Sequence, residues 1–334
     1  MSVHCTVIAE AGVNHNGSLE LAHRLIDVAA EAGADFVKFQ TFRTEALVTR
    51  DAQKAAYQKR TTGHGETQFD MLKRLEIDQD CFRELAAYAA SKKISFLSTP
   101  FDIESARFLA TLGVNAFKVS SGDLTNIPFL RELAAMGKPI ILSSGMATLG
   151  EIEEAVEACE QGGISIDKLT LLHCTTEYPA PAEKINLWAM QTIAQAFPGA
   201  IHGYSDHSEG IEIPIAAVAL GAQVIEKHFT LDRSMEGPDH KASLEPSELA
   251  AMVRAIRRVG VALGDGRKRP TASEMLNRAI ARKSIVAARP IAKGEVFSAE
   301  NLAVRRPGNG ISPARWDSLL GQPATRDYSQ NELI

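Results

Sequence analysis

No stretch of this chain approaches the roughly 18 consecutive apolar residues that a membrane span requires. The opening residues, MSVHCTVIAEAGVNHNG, carry no cationic segment ahead of an apolar one, so no signal peptide is expected. Cysteine is scarce. Cys5, Cys81, Cys159 and Cys174 stand apart without CxxC spacing, which leaves neither a disulfide frame nor a zinc knuckle. Basic excess is also missing: the net charge is −5, so nucleic acid is not the expected partner. What remains is an ordinary globular composition, 45% hydrophobic and 23% charged, with a cytoplasmic setting expected. At 334 residues the chain allows two domains, or one barrel of about 250 residues with an appendage.

Short apolar runs alternate with amphipathic ones along most of the length. Strands are expected at 5–11, 35–41, 94–99, 116–121, 139–145, 169–175, 200–206 and 224–230. Helices fit between and after them at 18–32, 80–92, 102–112, 126–136, 149–161, 186–196, 210–220 and 246–263. Ser18 stands as an N-cap, Gly33 as a stop, and Pro246 in the first turn of the last helix. Eight strands each followed by a helix predict a (β/α)8 TIM barrel over 1–263, with a doubly wound open sheet as the alternative. Residues 43–78 are a long insertion after the second strand, read as a partly helical lid with TTGHGE at its tip. Residues 264–283 read as a polar, basic linker. From 284 to 334 the texture changes to short β runs and turns, a small β-rich domain.

The nonapeptide VIEKHFTLD at 224–232 places Glu226, Lys227 and His228 inside an otherwise buried strand. Buried charges are costly unless paired or metal-bound, and an ion pair plus one satisfied histidine is the plain alternative. In a barrel, chemistry sits where the carboxyl ends of the strands converge. Polar residues gather at that end of every expected strand: Glu10 and Asn14, Lys38 and Gln40, Ser98 and Thr99, Lys118 and Ser121, Ser143 and Ser144, His173 with Thr175 and Thr176, Ser205 with Asp206 and His207, Glu226 with His228. Scattered core polarity would not favour one end eight times over, so an enzyme is expected. Lys38 and Lys118 with nearby hydroxyls suit a phosphate, a buried salt bridge being the alternative for either lysine alone. His207 and His228 end neighbouring strands and suit one Mn²⁺, with Mg²⁺ the harder and less histidine-loving option. Alternatively one of the two is a general base and the other packs.

The segments IAEAGVNHNG, DFVKFQTF, FLSTPFD, KVSSGD, ILSSGM, LLHCTTEYPAP, GYSDH, EKHFTLD and GPDHKASLEP, in that order, resemble the sialic acid synthase family of phosphoenolpyruvate-dependent nonulosonate synthases. SIVAARPIAKGE and RRPGNGI resemble that family's C-terminal antifreeze-like (SAF) domain. The resemblance implies a transferase that joins phosphoenolpyruvate and water to an open-chain N-acylated hexose and releases phosphate. It implies a divalent metal on His207 and His228, and Glu10 acting on the sugar's C1 oxygen or the incoming water. Phosphoenolpyruvate would be held by Lys38, Thr99, Lys118, Ser121, Ser143, Thr176 and Ser205; the sugar by Gln40, Asp123, Tyr178 and Asp239. Arg306 would reach the neighbouring subunit's site in a homodimer with exchanged C-terminal domains. Two positions depart from some N-acetylneuraminate synthases: Thr176 replaces an asparagine and Asp123 a glutamate. HCTTEYPAP with MEGPDHKASLEP resembles the legionaminate branch, whose sugar is 2,4-diacetamido-2,4,6-trideoxymannose, with N-acetylneuraminate synthesis as the alternative. More distant alternatives are a Schiff-base aldolase using Lys118 or Lys227, and a non-catalytic carbohydrate-binding protein.

Overall fold

A computed structural model describes residues 4–63 and 65–334, apart from the side chains at positions 56, 57 and 60. The chain divides after Asp265 into two compact units. In the first, eight strands follow one another: β1 (Thr6–Gly12), β2 (Phe36–Thr41), β3 (Ser95–Pro100), β4 (Phe117–Val119), β5 (Ile140–Ser143), β6 (Leu169–Cys174), β7 (Ile201–Asp206) and β8 (Val224–His228). α1 (Leu19–Glu31) follows β1. Between β2 and β3 run α2 (Thr44–Leu47), α3 (Ala56–Thr62), α4 (Gln68–Leu75) and α5 (Gln79–Ser91). The remaining helices are α6 (Ile103–Thr111), α7 (Ile127–Ala135), α8 (Leu149–Gln161), α9 (Trp188–Ala196), α10 (Glu212–Ala219) and α11 (Pro246–Ala262).

All strand pairs of this unit are parallel, in the order β3-β2-β1-β8-β7-β6-β5-β4. The pairing of β1 with β8, from Thr6↔Val224 to Glu10↔His228, joins the first strand to the last. An open sheet would leave both free. β3 and β4 lie side by side at the remaining seam, so the expected TIM-like barrel is what forms. The helices form where the apolar spacing and caps foretell. α1 buries Ala22, Leu25, Ile26 and Ala29, one face at helical period, and the Leu21 N–H donates to the Ser18 hydroxyl. Truncating a fully buried residue such as Leu25 to alanine would cost about 2–5 kcal/mol.

Alternation along the strands separates two interiors. Outward-facing Val7, Ala9, Val37 and Phe39 pack under the helices. Inward-facing Ile8, Leu97, Ala116, Ile141, Leu172 and Val224, with Phe36, fill the lower barrel. β7 contributes Gly203 to that layer. A methyl group there would run into the Val224 carbonyl and stand 2.7 Å from Leu172 Cδ2, so the strand fits only without a side chain.

The same parity resolves the Glu-Lys-His triplet. Lys227 faces out of the barrel and pairs with Asp206 of β7 at 2.5 Å, both fully buried. Asp206 also accepts from the Tyr204 hydroxyl (3.1 Å), the Ser208 N–H (3.0 Å) and the Ser208 hydroxyl (3.0 Å), while Lys227 donates to the Ser208 carbonyl. A buried ion pair with its remaining valences filled can hold its place, and removing one partner strands the other.

The second unit is built on an antiparallel pair. α12 (Ala272–Ala281) precedes β9 (Ser284–Ala287) and β10 (Leu302–Arg305), and α13 (Trp316–Leu319) follows. Ile285, Ala287, Ile291, Phe297, Leu302, Ala324 and Tyr328 form its small core. The stretch 264–283, expected as linker, therefore contains a helix. Thr271 and Glu274 close a capping box that starts α12, a signal that outweighs the polar composition.

Lys227→Met is expected to lower stability by about 3–5 kcal/mol in urea unfolding, because Asp206 is left charged and buried. Adding Asp206→Asn should recover part of that loss. An unchanged midpoint for the single variant would contradict the pairing.

Candidate active site

One step above the apolar barrel layer, each inward position turns polar. Counting on by two gives Glu10, Lys38, Thr99, Lys118, Ser143, Cys174, Ser205 and Glu226, all lining one cavity of about 280 Å³. The charged members form a chain across the barrel. Lys38 Nζ stands 2.5 Å from Glu10 and 3.5 Å from Glu226, and donates to Thr99 Oγ1 at 3.0 Å. Lys118 Nζ is 3.4 Å from Glu226, which also accepts from the Ser205 hydroxyl at 2.9 Å. Gln40 Nε2 donates to Glu10 at 3.3 Å.

Burial disfavours charge on all four groups, and their neighbours decide which keep it. For Glu226 burial opposes ionisation, but Lys118 and Lys38 outweigh it and hold the carboxyl down at about 2. Glu10 goes the other way: burial dominates over Lys38 and pushes it up to about 7. Burial works against Lys38 too, yet Glu10 and Glu226 keep it raised, whereas burial wins at Lys118 and lowers it. Glu226 is thus the firm anion beside Lys38 and Lys118, and Glu10 is partly protonated near neutral pH. That balance leaves cationic capacity for an incoming anion.

Hydroxyls and backbone close around this floor. Gly145 N–H donates to Ser121 Oγ at 2.9 Å. A methyl group at Gly145 would stand 2.6 Å from Thr176 Cγ2 and 2.8 Å from Ser121 Oγ, so the two loops approach as closely as they do because position 145 has no side chain. Ser143 Oγ is buried with no hydrogen-bond partner among the described residues, open to a ligand.

At the mouth, His207 and His228 bring their ring centres to 5.3 Å, and Tyr178 lies 4.0 Å from the first and 5.7 Å from the second. His207 Nδ1 bonds the Thr175 carbonyl at 2.7 Å, which directs Nε2 elsewhere. His228 Nδ1 is buried without a hydrogen-bond partner among the described residues. Burial and the neighbouring His207 hold the His228 ring well below the ordinary histidine range. Burial pushes Asp239 up to about 6. The loop that presents Asp239 is tied to the barrel: Asn14 Nδ2 donates to the Phe229 carbonyl (2.8 Å) and Ser243 Oγ (3.0 Å), and His240 meets Thr230 and Asn16. The insertion covers the opening with Leu47, Val48, Gln58, Gln68, Met71, Leu72 and Leu75, so a partly helical lid is what stands there. Its expected tip includes His64, which lies outside the described residues.

Of the residues singled out beforehand, Glu10, Lys38, Gln40, Thr99, Lys118, Ser121, Ser143, Thr176, Tyr178, Ser205, His207, His228 and Asp239 share this cavity. Asp123 does not line it. Its carboxylate closes a tight turn after β4, accepting from Ser120 Oγ at 2.9 Å and Asn126 Nδ2 at 3.3 Å. Arg306 belongs to the second unit, where its Nε donates to the Ala281 carbonyl at 3.0 Å. Lys227 is turned to the other side of the strand, which removes it as a Schiff-base lysine. Cys174 was missed: its Sγ lies in the polar layer, 3.7 Å from His207 Nδ1, and counting on by two from Leu172 would have found it.

A parallel barrel with paired carboxylates and lysines inside and two histidines at its mouth defines an enzyme of anionic, oxygen-rich substrates. Comparison with known proteins narrows the class. The NeuB family matches residues 25–268 and the SAF domain matches 282–334. N,N'-diacetyllegionaminic acid synthase of Campylobacter jejuni is 53% identical over 98% of both chains. The protein of the same name from Legionella pneumophila is 45% identical over 100% of this chain and 94% of its own. Among solved structures, N-acetylneuraminic acid synthetase from Leptospira borgpetersenii superposes with a TM-score of 0.72 at 38% identity, covering 82% of this chain and 90% of that one. This chain belongs to the NeuB family and is a synthase with a C-terminal SAF domain.

The loop after β1 also carries an acid-sensitive support. His15 is buried, its Nδ1 accepts the Gly17 N–H at 3.0 Å, and burial lowers it to about 4. The unfolded chain takes up the proton first as pH falls through 6.5, so stability present above that value is lost on the way to pH 4. Between pH 7.5 and 5.0 the loss from this group should be about 2 kcal/mol in urea unfolding. It should shrink in His15→Gln; an equal loss in both proteins would contradict the assignment.

Proposed function

We propose that the enzyme condenses phosphoenolpyruvate with 2,4-diacetamido-2,4,6-trideoxymannose and water, yielding N,N'-diacetyllegionaminate and phosphate. One observation carries this reading: the buried Glu10–Lys38–Glu226–Lys118 chain under a cluster of hydroxyls, in a barrel similar to synthases of that product. N-acetylneuraminate synthesis from N-acetylmannosamine is the second reading, favoured by the likeness to the Leptospira borgpetersenii structure.

Lys38 and Lys118, with Thr99, Ser121, Ser143, Thr176 and Ser205, hold the phosphate and carboxylate of phosphoenolpyruvate on the cavity floor. Gln40, Tyr178 and Asp239 orient the open-chain sugar above it. C3 of the enolpyruvate bonds to the aldehyde carbon, and the aldehyde oxygen takes up a proton and becomes a hydroxyl. Water adds at C2 and gives up both protons, one balancing that taken by the aldehyde oxygen and one leaving on the phosphate, so that the C2–O bond to phosphate breaks to leave the C2 ketone. Glu10, partly protonated near neutrality, is placed to give a proton to the sugar oxygen or take one from the water.

His207 and His228 fit a divalent ion, Mn²⁺ with Mg²⁺ as the alternative: one ring is oriented by a backbone carbonyl, and the other keeps a buried nitrogen without a partner. Among the described residues no third His, Cys, Asp or Glu completes a cage, which leaves room for water or substrate oxygen. When bound there, the ion supplies Lewis acidity toward a carbonyl oxygen.

The proposal extends to the assembly and setting. Arg306 serves the site of a second copy in a homodimer with exchanged C-terminal domains, as the family resemblance implies. All four cysteines are unpaired, which suits the reducing cytoplasm. Among the described residues no helix is long and apolar enough to cross a membrane.

The test is phosphate release from phosphoenolpyruvate with Mn²⁺ and each of the two sugars, with and without EDTA. The expected outcome is a strong preference for the diacetamido sugar, abolished by chelator and lowered more than about 100-fold by His207→Ala or His228→Ala. Preference for N-acetylmannosamine would select the second reading, and release that ignores chelator would contradict the two-histidine metal site.

A further inference from the structure

The cavity has two chemically different walls. The strand side is charged and hydroxylated. The opposite side comes from the 43–78 insertion and is aliphatic: Leu47, Met71, Leu72 and Leu75, joined by Phe101 from the loop after β3. Met71 and Leu75 are buried with Val13 and Phe42, while Leu47, Leu72 and Phe101 pack on them and remain partly open. Polar groups on this wall are the two amides of Gln58 and Gln68. Among the described residues no lysine or arginine of the insertion lines the cavity. Lys54 is engaged within the insertion itself by Thr62 at 2.9 Å and Glu66 at 3.3 Å.

Glu10, the histidines and this wall line the same cavity, so a sugar whose aldehyde end lies at Glu10 and the histidines can set its far carbons against the wall. Against the described residues of the insertion, hydroxyls would lose water without gaining charged partners, and a phosphate would meet no cation of that wall. Methyl groups would instead be buried favourably, with an amide left to meet an acetamido group. We infer that the 43–78 insertion selects the sugar: Leu47, Met71, Leu72 and Leu75, with Phe101, receive the methyl groups of a 6-deoxy, N-acylated hexose and disfavour one hydroxylated or phosphorylated at C6. The inference rests on the condensation proposed above and adds the element that reads the substrate's far end.

The experiment measures kcat/KM for 2,4-diacetamido-2,4,6-trideoxymannose and for N-acetylmannosamine in the wild type, Leu72→Asn, Leu72→Met and Leu47→Asn. Leu72 and Leu47 are only partly buried and lie on different helices, so either polar variant carries the test if the other does not fold. The expected result is a fall of about tenfold or more in the ratio of the two values for the asparagine variants, with the ratio kept in Leu72→Met. An unchanged ratio, or a parallel loss with both sugars, would overturn the inference while leaving the wild-type preference in place. A wild type that shows no preference for the diacetamido sugar would instead overturn the substrate reading, and the inference with it.

Discussion

The structure depends on the mutual neutralisation of Glu10, Lys38, Glu226 and Lys118 inside the barrel. Taking an ion out of water costs several kcal/mol even after relaxation, and an aliphatic layer of the same volume would hold the barrel together at least as well. Such an arrangement persists when the charges contact one another and have a use. Each contact here spans different strands: β1 to β2, β2 to β8, and β8 to β4 across the interior. The four groups therefore tie the barrel wall together at the level where a ligand would sit. Their balance is uneven, with Glu226 firmly anionic and Glu10 partly protonated, and that unevenness makes the floor receptive to an anion.

Beneath and around this layer the rest is support. The apolar plug of Ile8, Leu97, Ile141 and Leu172 excludes water from below. On the outer face, the Lys227–Asp206 pair ties β8 to β7, the two strands that lead to His228 and His207. Neighbouring residues on one strand thus serve opposite sides: Glu226 and His228 the cavity, Lys227 the wall behind it. The insertion lines the same cavity with a surface of different chemistry, aliphatic where the strand side is charged and hydroxylated.

Much of this was legible in the residues. Alternating apolar runs and helical stripes marked all eight strands to within a few positions, with β4 and β5 shorter than expected because their ends turn into loops that carry Ser121, Ser144 and Gly145. Polar residues at the strand ends marked the cavity, since barrel geometry brings those ends together whatever their separation along the chain. Pairings were less visible. Nothing in local sequence shows that Lys38 reaches Glu226, 188 positions away, or that Lys227 is spoken for by Asp206, although strand parity puts Lys227 opposite Glu226 and His228. The expectation of Asp123 as a sugar contact gave no hint that its carboxylate takes part in a local turn, accepting from Ser120 and Asn126. Residues 43–78 read as a partly helical lid, but composition does not tell which of its side chains face the cavity, so Leu47, Leu72 and Leu75 were not singled out.

In the proposed function the buried lysines hold phosphoenolpyruvate. Calorimetric titration of phosphoenolpyruvate, without sugar, into the wild type and into Lys118→Met tests it most directly, since methionine keeps the volume and removes the charge. Saturable binding to the wild type is expected, with a loss of about 100-fold or more in the variant, in line with one buried charge-assisted contact. Equal affinity in both proteins would contradict it.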